Sequence, residues 1–332
     1  MGEYLLLLKD SANRVYAAAA AELSVAEARL TTPFEVSGVV SVAGTAYVAL
    51  QGELDDGGLA SLAQLSAARA LFEQVGDGLL RPVELPSPFV LDEDLVTIPK
   101  YAGKTNELFT RLLLHLTTSQ VWRESPSDKV QLNILDPLAG RGTTLLTAWL
   151  TGNSACGVES DVKSFEALAS YMSTYLRTKR LKHACDVTPV RRDGKTLGKR
   201  LDVTLKDALP LTMTVFTGDT RDSAALFGKK ARFDAVVTDA PYGVAHGAQS
   251  GGGRSRSPEA LLSDAIPVWA SQLRIGGAMG IAFNTYTLPR DVLTDIMNDA
   301  GLAVCEGGAW ECLSHRVDAA IVRDIVVATR VR

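Results

Sequence analysis

From Ala102 onward the sequence alternates short apolar runs of strand length with longer stretches of helical periodicity, and no other feature constrains the fold as tightly. Helices are expected over residues 106–117, 143–151 and 162 to about 180, within a few residues at each end. Strands are expected at 132–135, 155–158, 213–216, 234–238 and 278–283. Two late strands, 303–306 and 321–328, lie close enough in sequence to pair antiparallel at an edge. Alternation of this kind predicts an α/β fold: a doubly wound, mostly parallel sheet with an antiparallel edge strand.

Residues 1–85 read as a smaller N-terminal α/β domain. A strand is expected at 4–8, then a helix from an N-cap at Ser11 through about Glu22. Paired strands at 34–40 and 45–50 flank a glycine-containing turn, and a second helix is expected over 59–75. Prolines 82, 86, 88 and 99 mark a linker, placed at 86–101, before the larger domain at 102–332. A chain of 332 residues is long enough for both cores. Its net charge of -4 argues against indiscriminate nucleic-acid binding and leaves room for a local basic patch. Cys156, Cys185, Cys305 and Cys312 show no close CxxC pair and no histidines at ligand spacing. They are expected as free thiols in a reducing cytoplasm, with no metal site. The apolar run at 4–8 is too short for a membrane span or a secretion signal.

In an open α/β sheet, ligands sit beyond the carboxyl ends of the strands. Asp136 stands at such an end and opens the run Asp-Pro-Leu138-Ala139-Gly140-Arg-Gly142-Thr143-Thr. Gly140 and Gly142 let backbone approach a ligand, and the following helix presents free N–H groups. Two further acids follow at successive strand ends. Glu159, with Ser160 beside it, lies roughly 20 residues past the loop, where an acid can bind both ribose hydroxyls. Asp219, with Thr220 beside it, is placed to accept from an adenine amino group. Three strand ends carrying this chemistry in order point to a nucleoside cofactor.

The fourth strand, 234–238, runs into Asp239-Ala240-Pro241-Tyr242. The Asp239 carboxylate and the Ala240 carbonyl offer two acceptors for the hydrogens of a planar amino group. Pro241 narrows the backbone choices, and Tyr242 can stack on a base or flank the cavity.

These motifs resemble those of the class I S-adenosylmethionine-dependent methyltransferases of the amino-methylating group, whose signature is Asp/Asn-Pro-Pro-Tyr/Phe. The nearest branch is the tRNA guanosine N2-methyltransferases, the guanosine-10 family in particular. The run 136–144 is similar to that family's first motif, Gly157-Val-Glu-Ser-Asp161 to its ribose-binding motif and 239–243 to its catalytic one. Lys104-Thr105-Asn106 is similar to the segment that closes over the methionine end of the cofactor. The resemblance implies a Rossmann-like fold, S-adenosylmethionine as cofactor and RNA, most of all tRNA, as substrate. It covers 102–332 well and the first 85 residues loosely. Two departures stand out. Ala240 replaces the first proline of the catalytic motif, and the N-terminal unit is much shorter than the family's RNA-binding module. Residues 1–90 also carry five basic against eleven acidic side chains, a poor platform for phosphates.

Basic residues concentrate elsewhere. Residues 177–200 carry nine, Arg191 and Arg192 among them, in what reads as a hairpin turning at Asp193-Gly194 beside the active site. Arg254 and Arg256 follow a triple glycine downstream of the catalytic loop, as in a lid that substrate orders. All four are candidate substrate contacts. His246 is a second-rank candidate proton acceptor, and Trp310 and His315 candidate walls of the base pocket. DNA adenine, a protein side-chain amide, a small metabolite, or a non-catalytic RNA- or protein-binding role remain open alternatives, as does the need for an activator protein.

Overall fold

The computed structural model describes residues 2–11, 14–76, 78–101, 103–122, 131–192, 195–206, 209–242 and 258–331. The N-terminal unit contains β1 (Gly2–Leu8), α1 (Arg14–Thr31), β2 (Glu35–Val42), β3 (Thr45–Gly52), α2 (Asp56–Gln64), β4 (Ala68–Gln74) and β5 (Leu80–Val83). Its strands form one antiparallel sheet, ordered β2-β3-β1-β4-β5. Helix α1 runs on past the expected end near Glu22 because it serves two cores. Val25 and Ala28 pack against this sheet, whereas Tyr16, Ala20, Leu23 and Ala26 join the core under the second sheet. Helix α1 thus contributes side chains to both cores.

The helix expected over 59–75 is corrected. It stops at Gln64, and 68–74 form a central strand instead. The fully buried Glu27 carboxylate takes the Ser66 N–H, at 2.9 and 3.0 Å, and the Ser66 hydroxyl, at 2.6 Å. Leu71 then pairs with Leu6 of β1, inside the core. Tertiary pairing here overrides the helical propensity of an Ala-rich segment. Pro82 lies in β5, an edge strand, where a missing N–H does least harm. The linker carries a short helix, α3 (Asp94–Thr97), whose Asp94 holds Lys179 at 2.5 Å and the Tyr175 hydroxyl at 2.7 Å.

The remaining elements are α4 (Glu107–Ser119), β6 (Asn133–Asp136), α5 (Thr143–Leu150), β7 (Ser154–Glu159), α6 (Val162–Thr178), β8 (His183–Arg192), β9 (Lys195–Leu205) and β10 (Leu211–Thr217). They continue through α7 (Ser223–Phe227), β11 (Phe233–Asp239), α8 (Pro258–Gln272), β12 (Leu273–Asn284), α9 (Arg290–Asp299), β13 (Ala303–Val304), β14 (His315–Arg316) and β15 (Val322–Thr329). The sheet order is β13-β15-β12-β11-β6-β7-β10-β9-β8, with β14 also on β15. The five strands β12-β11-β6-β7-β10 are parallel, as expected. Antiparallel strands flank both sides rather than one, because the charged hairpin β8–β9 pairs with β10 and extends the sheet. The chain winds outward from β6 to β7 and β10, then returns to β11 on the other side of β6. That reversal places the switch point between β6 and β11. Among the described residues, no helix is long and apolar enough to cross a membrane.

Candidate active site

Asp136 ends β6 and Asp239 ends β11, so pairing of these strands sets the two sequence motifs side by side at the switch point. A cavity of about 250 Å³ lies there. Of the expected site residues, Thr105, Asp136, Leu138, Ala139, Gly140, Thr143 and the whole run Asp239 to Tyr242 line it.

The Gly140 loop takes its shape from positive φ angles, 52° at Gly140 and 85° at Gly142, which caps α5. A Cβ at Gly142 would stand 2.7 Å from Leu168, so the turn also needs glycine for close packing on α6. Asp136 is buried, and Oδ1 accepts from the Thr238 hydroxyl at 2.8 Å and the Leu138 N–H at 3.1 Å. Burial pushes its carboxyl up to about 7. Glu159 accepts from the Gly140 N–H and the Asp161 N–H, one on each oxygen, both at 2.6 Å. Burial raises its pKa, against those two bonds, which favour the carboxylate.

Asp239 is held by hydroxyls on both oxygens: Tyr242 donates to Oδ1 at 2.5 Å and Thr105 to Oδ2 at 2.6 Å. A carboxylate has about four acceptor positions, so two remain for a substrate. The Ala240 N–H donates to the Ala282 carbonyl at 2.8 Å, continuing the β11–β12 ladder past Asp239. Asn106 caps α4 through the Leu108 and Phe109 N–H groups, and its Nδ2 donates to Ser11 Oγ at 2.9 Å. Thus the N-terminal unit touches the segment that holds Asp239.

Other expected residues sit farther along the same edge. Ser160 is exposed beside Glu159. Asp219 is bound by Arg221 through the main-chain N–H, Nε and Nη2, and these contacts lower its pKa. The Thr220 side chain packs away from the cavity, accepting from Trp269 Nε1 at 3.0 Å. Arg191 is exposed near the end of β8, and Arg192 ends that strand. Arg254, Arg256 and His246 lie outside the described residues. Trp310 belongs to the main core. His315 is buried against Tyr16 and Phe109, and burial takes it down to about 4, so it is neutral at physiological pH.

The sequence reading missed three groups here. Tyr101 lines the cavity from the linker, its hydroxyl 2.8 Å from Thr143 Oγ1, with the Arg141 guanidinium 4.8 Å from its ring centre. Phe109 supplies another wall. Behind Phe109 and Tyr242 stands Arg323, buried on β15. For Arg323 a signal exists in the sequence: a charged pair, Arg323-Asp324, inside an otherwise apolar strand.

No family profile and no curated protein matches the sequence. Solved structures do match. TrmN from Thermus thermophilus aligns over 99% of this chain and 100% of its own, at 12% identity and a TM-score of 0.50. The T. thermophilus 16S rRNA N2 G1207 methyltransferase RsmC, solved with AdoMet and guanosine, aligns over 92% of this chain at 18% identity and a TM-score of 0.39. The present chain spans 60% of that protein's length. Ribosomal protein L11 methylase from Lactobacillus delbrueckii subsp. bulgaricus aligns over 68% of this chain and 80% of its own, at 13% identity and a TM-score of 0.38. The chain shares with TrmN a Rossmann-like α/β fold. Its cavity occupies the ligand position expected of such a sheet, at the carboxyl ends of the strands on either side of the switch point.

Proposed function

We propose that this protein is an S-adenosylmethionine-dependent methyltransferase acting on an exocyclic amino nitrogen, with guanine N2 of RNA, and of tRNA above all, as its substrate in the cytoplasm. One observation carries the reading: Asp239, oriented by Thr105 and Tyr242, faces a cavity whose other wall is the Gly140 loop.

S-adenosylmethionine, when bound, supplies an electrophilic methyl group on a sulfonium. The residues present fit that cofactor. Gly140 and the start of α5 offer backbone to its methionine end. Glu159 accepts backbone N–H groups on both oxygens, and the acceptor capacity that remains suits the two ribose hydroxyls. Asp219 meets the adenine side with whatever acceptor capacity Arg221 leaves it. At the reacting end, Asp239 and the Ala240 carbonyl hold the two amino hydrogens, so that the nitrogen faces the methyl group. Ala240 and Phe109, both buried, keep water from that face. No strong base is required, because the proton can leave after methyl transfer.

The RNA assignment draws support from the hairpin. Register pairs Phe216 of β10 with Arg200 of β9 and Arg200 with Thr188 of β8. The outermost rungs, which pair Arg191 with Thr196 and Arg192 with Lys195, project past β10 at the carboxyl edge, the edge that carries the cavity. Five strand spacings separate β8 from β11, about 24 Å. A phosphate there lies about seven nucleotide steps from the target base. Arg254 and Arg256, outside the described residues, remain candidate contacts.

The test is transfer of label from methyl-tritiated S-adenosylmethionine into separated RNA, DNA and protein. RNase-sensitive label that needs Asp239 supports the reading, and within it label confined to tRNA supports the narrower one. Label in DNA or protein replaces the substrate and keeps the chemistry. Cofactor binding without transfer to any substrate overturns the enzyme.

A further inference from the structure

Arg323 is 6% exposed, yet it carries a charge whose ion pair, with Asp239, is long. Its guanidinium carbon lies 4.4 Å from the centre of the Phe109 ring and 5.0 Å from that of Tyr242, and both rings line the cavity. Nη2 stands 4.0 Å from Asp239 Oδ2, and the buried Nε has no hydrogen-bond partner. Burying a cation costs several kcal/mol unless neighbouring groups compensate it. A position that served only to fill space would hold a methionine or leucine at less expense. Here two ring faces and one carboxylate supply the compensation, and all three belong to the reacting site.

The strands around Arg323 support the catalytic loop from the same side. Arg323 pairs across β15 with Asn284 of β12 and with His315 of β14. Asn284 Nδ2 points at the Tyr242 carbonyl, at 3.5 Å, and donates to the Ala320 carbonyl at 3.1 Å. Tyr242 is thus held through its main chain by Asn284 and through its ring by Arg323, while its hydroxyl holds Asp239.

We infer that Arg323 is a positioning residue of the reacting site: clamped between Phe109 and Tyr242, it fixes the plane of the Tyr242 ring and, through the Tyr242 hydroxyl, the orientation of the Asp239 carboxylate. It touches neither cofactor nor amine. Its contribution is to keep the acceptor in place before the substrate arrives, and a displacement of about 1 Å at such a group costs on the order of 100-fold in rate. The kinetic part of this inference rests on the methyl-transfer reading; the structural part does not.

The test compares the full-length wild type with Arg323→Met and Arg323→Lys by amide hydrogen exchange, cofactor titration and methyl-transfer kinetics. In Arg323→Met, exchange in the peptide spanning 239–242 should quicken about tenfold, while the glycine loop at 136–142 exchanges as in wild type. The kcat should fall about 100-fold, with cofactor Kd within about twofold. Arg323→Lys keeps the charge without the planar fork and should fall between the two. Exchange in 239–242 and kcat both unchanged in Arg323→Met would overturn the inference, as would a loss of cofactor affinity equal to the loss of kcat. If Arg323→Met does not fold, Phe109→Leu leaves the guanidinium in place, removes one ring face and should shift exchange in the same direction. A wild type that transfers no methyl group defeats the functional reading alone, because exchange at 239–242 still decides the clamp.

Discussion

Asp136 and Asp239 end neighbouring parallel strands, yet their surroundings give them different work. Asp136 is 3% exposed, its bonds run to its own loop and to Thr238 of the next strand, and burial pushes its carboxyl up to about 7. Asp239 keeps 19% side-chain exposure and faces the cavity. Its donors come from the lead-in to α4 and from its own loop, with a cation from β15 behind them. Asp136 is a brace that joins two strand ends. Asp239 is an acceptor that several segments converge to aim. The comparison teaches that acids at neighbouring strand ends differ in exposure and in the segments that hold them, and that the more exposed one is the one so many segments aim.

Replacement by the isosteric amide should separate the two. Asp239→Asn is expected to cut methyl transfer by about 10³-fold, because it loses an acceptor oxygen and the charge that favours an amine turning cationic. Cofactor affinity, measured by titration, should stay within about twofold. Asp136→Asn keeps the oxygen that accepts from Thr238 and Leu138, so transfer should fall by no more than about tenfold. Equal losses would dissolve the distinction between brace and acceptor.

Asp136 also makes stability depend on pH. The folded Asp136 carboxyl has a pKa raised from its unfolded value to about 7, so the folded state binds its proton more tightly. Its stabilising contribution is complete below the unfolded value, near 4, and is lost as pH rises through about 7. The loss is at most about 1.4 kcal/mol for each pH unit. Melting temperature against pH between 4 and 8 should therefore fall more steeply in wild type than in Asp136→Asn. Parallel curves would show that Asp136 titrates as an ordinary surface acid. A smaller effect is expected at Glu159. Both of its oxygens accept backbone N–H groups, and Glu159→Gln can satisfy only one while turning an NH₂ toward the other. Cofactor Kd should rise about tenfold, the equivalent of one charge-assisted hydrogen bond.

Much of this arrangement was legible in the sequence because it resides in local signals. An apolar run followed by an acid or a glycine turn marks a strand end, and the five parallel strands came from such runs. Where non-local pairing decides, the sequence reading failed. Residues 68–74 look helical and become a strand because Glu27, 39 residues before Ser66, stops the helix there. The hairpin β8–β9 was visible as a charged insertion, but its pairing with β10 was not. Tyr101 and Phe109 gave no signal, since a linker tyrosine and a phenylalanine on an amphipathic helix normally mean packing. Arg323 gave one, a charge in an apolar strand, whose partners only the fold supplies.

Ala240 sharpens the comparison at its smallest scale. The resembled motif places proline there, and a proline restricts the loop by its ring. In this chain the Ala240 N–H donates to the Ala282 carbonyl at 2.8 Å, so a hydrogen bond to β12 holds the position that a ring would hold. The two devices exclude each other, because proline has no N–H. Ala240→Pro should lose about 1 kcal/mol from that bond. It should recover about 0.4–1 kcal/mol from the stiffer unfolded chain. Stability to denaturant is then expected to change by less than about 1 kcal/mol, and transfer by no more than about twofold, since the carbonyl that faces the amine survives. A loss of several kcal/mol would mean that the ladder bond to Ala282 does more than replace a ring: it would make β12, and through it Asn284 and β15, part of what aims Asp239.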